Sequence, residues 1–429
     1  MLWLAVAAAV AHDLWVLPRR PAGDRLADLE VYVGSVRSLL AGDSLYDFHA
    51  ANGAPFTYPP FAGLLLLPTA HVPILPLKIG WTAASLVAGG VLVWLCVRRR
   101  SGVGLPLAAL GLACSAPFIS NLRFGQVSIF VVLLAMIDCL DLLPPRWRGV
   151  ALGVAAAVKL TPLVFVPYLW LTGRRRAAVT ALGTFVGALL VAAVALPADT
   201  WRWARREAWH TDRIGDLAQL GNQSVNGALL RLGLGGGVRV AVLVAVCVVA
   251  LVVAYRRAVG LDLLSGFLVV GAAGIVVSPV SWTHHQFVLY LAAIPLLLAG
   301  RWLLAGVVAA LMIIPLDLLA AVGLRDCRVV LALAIVLVPA LTVRPGSTRS
   351  SGSTWRAGWT GGAGSTGHAG STGDAGSTGS PPTGRSGPTG SAPTSIDAGR
   401  RSPIGDSPDG TGWTNVCWWP RPGGRYAAI

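Results

Sequence analysis

The sequence predicts an all-α protein that crosses a membrane many times. Three observations carry this. Hydrophobic residues make up 55% of the chain and charged residues 12%, about half the charge of a soluble domain. The apolar residues fall in long blocks, the pattern of membrane spans. The arginines sit in short clusters between those blocks: Arg98–Arg99–Arg100, Arg146 with Arg148, Arg174–Arg175–Arg176, and Arg256–Arg257.

The same clustering disposes of a nucleic-acid reading of the formal charge of +15. A nucleic-acid face gathers its cations in one stripe, whereas cations at block ends mark membrane sidedness. Sixteen tryptophans fit many membrane–water interfaces. The six cysteines form no CxxC or other metal spacing, so neither a disulfide framework nor a metal site is expected.

Residues 1–17 are expected to form a short first span. The alternative, a signal peptide cleaved after Ala9-Val10-Ala11, has no basic segment before it. Further apolar blocks run over 76–97, 103–120, 125–143, 150–172, 177–196, 238–254, 260–279, 285–300, 302–320 and 329–343, which gives about ten spans. Strict alternation puts Arg146/Arg148 and Arg174–Arg176 on opposite sides of the membrane. It is restored if 150–172 is a re-entrant hairpin broken at Thr161-Pro162, its two halves of about 11 residues rising ~16 Å each. All the arginine clusters then lie inside. Loops 18–60, 198–236 and 278–286 lie outside, joined by the turn 121–126, and with them the active site. Two regions follow: a multi-span membrane domain over 1–345 and a tail over 346–429. The tail carries GSTGHA, GSTGDA and GSTGSP in tandem; it is too polar to build a core and is expected to be disordered and cytoplasmic.

The first outer loop holds most of the chemistry. Leu29, Val33, Val36 and Leu40 recur at helical spacing, with Asp24 as the expected cap and Gly42 as the stop. An amphipathic helix should therefore lie on the outer interface. It carries Asp28 in its first turn and Tyr32 one turn on. A carboxylate there can take a proton from a substrate hydroxyl. Acids at helix starts also simply offset the dipole, and the residues alone favour that plainer role. Phe56-Thr57-Tyr58-Pro59-Pro60-Phe61 closes the loop; it reads as a rigid turn that aims aromatics at the interface. Lys159 lies inside an apolar block, where a charge costs about 2.5–3.5 kcal/mol on insertion scales, and suits a phosphate or carboxylate partner. Asn222 and Gln223 offer the paired donors and acceptors that sugar hydroxyls need, or serve a hydrogen-bonded loop. His284 and His285 close the run SPVSWTHH and suit a phosphate contact or the orientation of a base.

In order and spacing these pieces resemble the actinobacterial polyprenyl-phosphate-mannose-dependent α-1,2-mannosyltransferases, glycosyltransferase family 87, of GT-C architecture. The matching text is Asp28-Leu29-Glu30-Val31-Tyr32, GDSLY at 42–46, FTYPPF at 56–61, FGQ at 124–126, GVALGVAAAVKLTP at 149–162, GNQSVNG at 221–227 and SPVSWTHH at 278–285. The likeness covers roughly 24–300.

The resemblance implies transfer of mannose from polyprenyl-phosphate mannose to a glycolipid or lipoglycan acceptor, by inversion, at the outer face of the cell membrane. It needs no cofactor, no metal and no nucleic acid; its partners are membrane lipids. It reverses the weighting of Asp28, which falls where the family has its general base. Lys159, Arg123, Gln126, His284 and His285 become candidates for the donor phosphate and sugar, and Tyr32, Tyr58, Asn222 and Gln223 for the acceptor. Two rival readings are a secondary transporter, for which no repeated half is found, and an enzyme using another lipid-linked sugar.

Overall fold

The computed structural model describes residues 1–98 and 103–343. The expectations for the tail 346–429, and for Arg99 and Arg100, lie outside the described residues. Among the described residues, regular structure is helical apart from one isolated bridge between His49 and Pro55.

Helix α1 (Leu2–Val16) leads into the first loop, which carries α2 (Ala27–Leu40) and α3 (Pro60–Leu66). After α4 (Ile74–Val97) come α5 (Gly104–Ala113) and α6 (Ala116–Phe124), a pair bent by 54°. Helices α7 (Ser128–Cys139), α8 (Val150–Val158), α9 (Phe165–Leu171) and α10 (Arg175–Ala195) follow. The second large loop holds α11 (Pro197–Arg202) and α12 (Val225–Arg231). The last group is α13 (Gly236–Ala258), α14 (Leu263–Val277), α15 (Phe287–Leu291), α16 (Ala293–Leu298), α17 (Trp302–Ile313), α18 (Leu316–Ala321) and α19 (Cys327–Leu337).

Among the described residues four helical segments are long and apolar enough to cross a membrane, Leu2–Arg19, Ile74–Val97, Arg175–Ala195 and Gly236–Ala258; the bent pair makes five. The outward faces of α10 and α13 are apolar, with Val186, Leu190, Val194, Val244, Val248 and Val252 exposed. Lipid favours such a surface and water does not. The chain is thus a multi-pass membrane protein. Many of the other apolar blocks expected to be spans are interrupted. Pro117 opens α6 after Ser115, Pro162 stands between α8 and α9, and Pro315 separates α17 from α18. Proline lacks the amide hydrogen and crowds the preceding turn.

Block 150–172 breaks where expected. Helix α8 stops at Val158, Lys159 is extended (φ −150, ψ 126), and a 3-10 turn over Thr161–Val164 leads into α9. Both ends of the block meet at one carboxylate. Arg148 Nε lies 3.9 Å and Arg174 Nη1 3.8 Å from Asp141 Oδ1, and Arg174 donates to the Cys139 carbonyl at 2.6 Å. Gly149 (φ +99) makes the return close, since a Cβ there would stand 2.2 Å from the Ala177 carbonyl oxygen. Arg257 donates to Thr342 Oγ1 at 2.9 Å and Arg301 to the Thr342 carbonyl at 3.1 Å.

The polar loops are joined to one another in turn. Asp199 accepts from Ser44 Oγ, and Arg202 pairs with Asp47 and with buried Glu207, which also pairs with Arg213. Ser281 N donates to Asn222 Oδ1 at 2.8 Å. Two apolar clusters fill the interior. The larger includes the stacked rings of Phe165 and Phe267, 5.0 Å apart. The smaller gathers Tyr32, Tyr46, Phe56 and Tyr58 against Trp203 and walls the site.

Two local expectations change. Asp24 does not cap α2: Leu26 precedes the helix in left-handed conformation (φ 54) and no side chain caps it. Asp24 instead pairs with Arg123, because tertiary contact outweighs a cap worth about 1 kcal/mol. Leu29, Val33 and Val36 are buried as expected, whereas Leu40 is 55% exposed at the helix end.

Candidate active site

Helix α2 is aimed by the chain that follows α6. Leu26 N donates to the Arg123 carbonyl at 2.7 Å. Gly125 turns left-handed (φ +65) so close to α2 that a Cβ would stand 2.9 Å from Leu29 Cβ. That approach brings Gln126 against the first turn of α2. Three acids in this stretch then find three different partners: Asp24 pairs with Arg123, Asp28 accepts from Gln126, and Glu30 pairs with Lys78.

The Gln126 amide has one orientation. Its Oε1 accepts from Tyr58 Oη at 3.1 Å and from Ser128 Oγ at 3.2 Å, while Nε2 donates to Asp28 Oδ2. Tyr58 and Tyr32 are joined hydroxyl to hydroxyl at 3.0 Å. Ser128 Oγ accepts from Lys159 Nζ at 3.1 Å, and Lys159 Nζ lies 2.7 Å from His285 Nε2. A lysine ammonium only donates, so His285 Nε2 accepts and its proton sits on Nδ1. Lys159 also lies 5.6 Å over the Tyr58 ring, a cation–π distance. One continuous run therefore joins Asp28, Gln126, Ser128, Lys159 and His285.

His284 packs on His285 (ring centroids 4.6 Å) and on Phe124 (5.8 Å). Its Nδ1 is 3.4 Å from Ser120 Oγ, and its buried Nε2 has no hydrogen-bond partner among the described residues. Burial first, and then the charge of Lys159, hold both histidines well below their ordinary pKa, so both are neutral. Burial pushes Asp28 up to about 6, against the Gln126 hydrogen bond and the Lys159 charge. Such a carboxylate is ionised at neutral pH and a better proton acceptor than an ordinary aspartate. Lys159 has no carboxylate within ion-pair distance among the described residues. Its close partners are neutral, which leaves a cation for an anionic ligand. Beneath it a mainly apolar cavity runs between Phe165, Phe267, Gly271 and Gly274.

The site thus gathers Asp28, Gln126, Lys159, His284, His285, Tyr32 and Tyr58. Arg123 stands at its edge, paired with Asp24 and stacked over Phe124 at 4.8 Å. Asn222 and Gln223 do not present free amides to a sugar, which corrects that expectation. Both are fully buried. Asn222 accepts from Ser281 N at 2.8 Å and Ser224 N at 3.3 Å and donates to the Leu217 carbonyl at 2.9 Å. Gln223 donates to the Leu220 and Arg325 carbonyls and accepts from Arg328 N. They hold the second loop to the 278–286 turn. Ser128 is the residue that sequence reasoning missed; a serine opening an apolar helix carries no signal of its own.

A half-buried carboxylate, a half-buried lysine and an apolar cavity meet within a multi-pass helical protein, the make-up of a membrane-embedded enzyme. The sequence profile of glycosyltransferase family 87 matches residues 56–279. The chain belongs to glycosyltransferase family 87. It is 34% identical over 317 residues to a polyprenol-phosphate-mannose-dependent alpha-(1-2)-phosphatidylinositol mannoside mannosyltransferase of Mycobacterium tuberculosis, covering 66% of this chain and 73% of that one. It is 34% identical over 327 residues to a polyprenol-phosphate-mannose-dependent alpha-(1-2)-phosphatidylinositol pentamannoside mannosyltransferase of Mycolicibacterium smegmatis, covering 72% and 76%. No solved structure matches the chain.

Proposed function

We propose that this enzyme transfers mannose from polyprenyl-phosphate mannose to a phosphatidylinositol mannoside, forming an α-1,2 linkage. The acceptor hydroxyl oxygen attacks the anomeric carbon of the donor mannose while the bond from that carbon to the phosphate oxygen breaks. The hydroxyl proton passes to Asp28, and the phosphate leaves on its polyprenol. Charge grows on that phosphate in the transition state, where a fixed cation is worth most. Lys159 supplies the cation, held by Ser128 and His285. The neutral histidines supply hydrogen-bonding and packing groups, and Tyr32 and Tyr58 wall the acceptor side.

The observation that carries this reading is the run from Asp28 through Gln126 and Ser128 to Lys159, a carboxylate and an amine held in one hydrogen-bonded chain of a family 87 protein. Membership of that family sets the transporter reading aside.

The topology we infer is a GT-C arrangement of about ten crossings in the plasma membrane. Block 150–172 is a re-entrant hairpin, loops 18–60, 198–236 and 278–286 are extracytoplasmic, and the tail is cytoplasmic. Convergence of Arg148 and Arg174 on Asp141 supports the hairpin. The test is transfer itself: purified protein with polyprenyl-phosphate mannose and a phosphatidylinositol mannoside, without nucleotide sugar or ion gradient, should form a product one mannose larger. No product, or transfer from a different lipid-linked sugar alone, overturns the reading.

A further inference from the structure

A groove separate from the cavity beneath Lys159, sharing no lining residue with it, runs between α17 and α19. Val308 and Leu311 form one wall, and Leu331 and Ala334 the other. Its volume is about 650 Å³, inside the range of about 300–1,000 Å³ usual for ligand sites. Asp326 and Leu341, which flank α19 at its two ends, both line it. The 11 residues of α19 rise about 16 Å, close to half of the ~30 Å hydrocarbon layer and so to the depth of one leaflet. Val307 and Val330 line the groove and are also exposed. In a multi-pass protein such an apolar opening faces lipid chains.

The end of the groove at Arg325 and Asp326 is polar and carries more cations than anions. Arg325 Nε lies 3.3 Å from Asp326 Oδ2, and Arg231 Nε donates to Asp326 Oδ1 at 2.8 Å. One carboxylate thus serves two guanidiniums. Arg325 is 45% exposed, and its two terminal nitrogens make no hydrogen bond or ion pair among the described residues. Behind the wall stands fully buried Arg328. It donates to the Leu311 carbonyl at 3.0 Å, which Pro315 cannot serve, and to the Ile314 carbonyl at 3.1 Å. Among the described residues no carboxylate lies within ion-pair distance of Arg328. This end is also held in place: Gln223 of the second loop donates to the Arg325 carbonyl at 3.0 Å and accepts from Arg328 N at 3.2 Å.

We propose that the groove holds one acyl chain of an anionic glycerophospholipid, whose phosphate meets the free fork of Arg325. The planar fork of arginine fits phosphate oxygens. The apolar bore, one leaflet deep, takes the chain, and the excess of cations at its polar end selects an anionic headgroup over a zwitterionic one. Neither Asp28 nor Lys159 lines the groove. The lipid is therefore a resident partner of the fold and not a substrate of the transfer, and the assignment stands apart from the reaction proposed above.

The test reads lipid binding apart from turnover. The full chain is placed in phosphatidylcholine nanodiscs with a trace of phosphatidylglycerol that carries a diazirine in one acyl chain. Irradiation should label peptides of α17 and α19, and added phosphatidylglycerol should compete where phosphatidylcholine does not. In Arg325→Gln that labelling should fall roughly tenfold, the loss of about one charge-assisted contact, and Arg325→Lys should recover part of it. Ala334→Trp, which fills the groove and leaves its polar end intact, should lose the label as well; if that variant unfolds, the Arg325 pair still decides. Phosphatidylglycerol should also raise the Tm of the parent, as any ligand of the native state does, and raise that of Arg325→Gln less. The proposal is overturned if Arg325→Gln labels as the parent does, if phosphatidylcholine competes equally, or if α10 and α13 label as strongly as α17 and α19, which would mean bulk lipid only. It is also overturned if a phosphatidylinositol mannoside displaces the label far better than phosphatidylglycerol, since the groove would then belong to an acceptor.

Discussion

Gln126 donates through Nε2 to the carboxylate of Asp28, and it cannot turn its amide over, because Oε1 already accepts from Tyr58 and Ser128. The flipped amide would set its oxygen against the carboxylate and its nitrogen against two hydroxyl donors. Gln126 therefore positions Asp28 and steadies its charged form. Gln126→Leu should lower kcat/KM and move the acidic limb of its pH profile upward by about one unit, since one hydrogen bond to a charged group is worth roughly 1.4 kcal/mol or more. Lost activity with an unmoved limb would mean that the amide serves packing alone.

Asp28 must be ionised to accept a proton, and its pKa is raised to about 6. In the parental enzyme kcat/KM should therefore be flat near neutrality and fall as pH drops through about 6. Asp28→Asn should lower turnover by about 10²–10⁴-fold, with protein level and donor binding retained. Glu30→Gln should do much less to turnover, because Glu30 faces Lys78 rather than the site. Near-parental transfer by Asp28→Asn would remove the base from this scheme.

Lys159→Met keeps the length of the side chain and removes its charge. Loss of a fixed group that stabilises developing charge costs about 10²–10³ in kcat, and the variant should also bind the donor more weakly than the parent. His285→Ala should reproduce part of the loss by freeing the ammonium from its 2.7 Å partner. Parental donor binding and turnover in Lys159→Met would place the phosphate elsewhere.

The hairpin makes a prediction about access. In a background without native cysteines, a cysteine at Gly173 should resist an impermeant maleimide in intact cells, and one at Ala51 should react. External labelling at Gly173 would make 150–172 a full crossing and separate Arg148 from Arg174 across the membrane, against their shared contact with Asp141.

Much of the site was legible because its members violate their surroundings. A lysine in an apolar block and a histidine pair after a proline-broken span each ask for an explanation, whereas Asp28 reads as an ordinary dipole-offsetting acid until the family resemblance singles it out. What was not legible depends on partners far away in sequence. Asp24 looks like a cap until Arg123 is brought beside it by the turn at Gly125. Asn222 and Gln223 carry the same amides whether they hold a sugar or the backbone of another loop. Helix lengths misled for a local reason: apolar residues continue through Pro117, Pro162 and Pro315, so the blocks read as whole spans although the backbone is interrupted inside them.

The run from Asp28 to His285 is continuous in contact but not in chemistry. A carboxamide neither releases nor picks up a proton near neutral pH, so Gln126 insulates Asp28 from Lys159 and His285 rather than wiring them together. In the proposed transfer, the proton that Asp28 takes from an acceptor cannot drain along the chain of side chains. It has to leave to water, across the partly exposed side of Asp28. Each catalytic cycle then includes a rehydration: the pocket that must be dry while the sugar moves must be wetted before the next acceptor hydroxyl can be activated. On the proposed reaction, recharging the base is in this way tied to departure of the lengthened glycolipid.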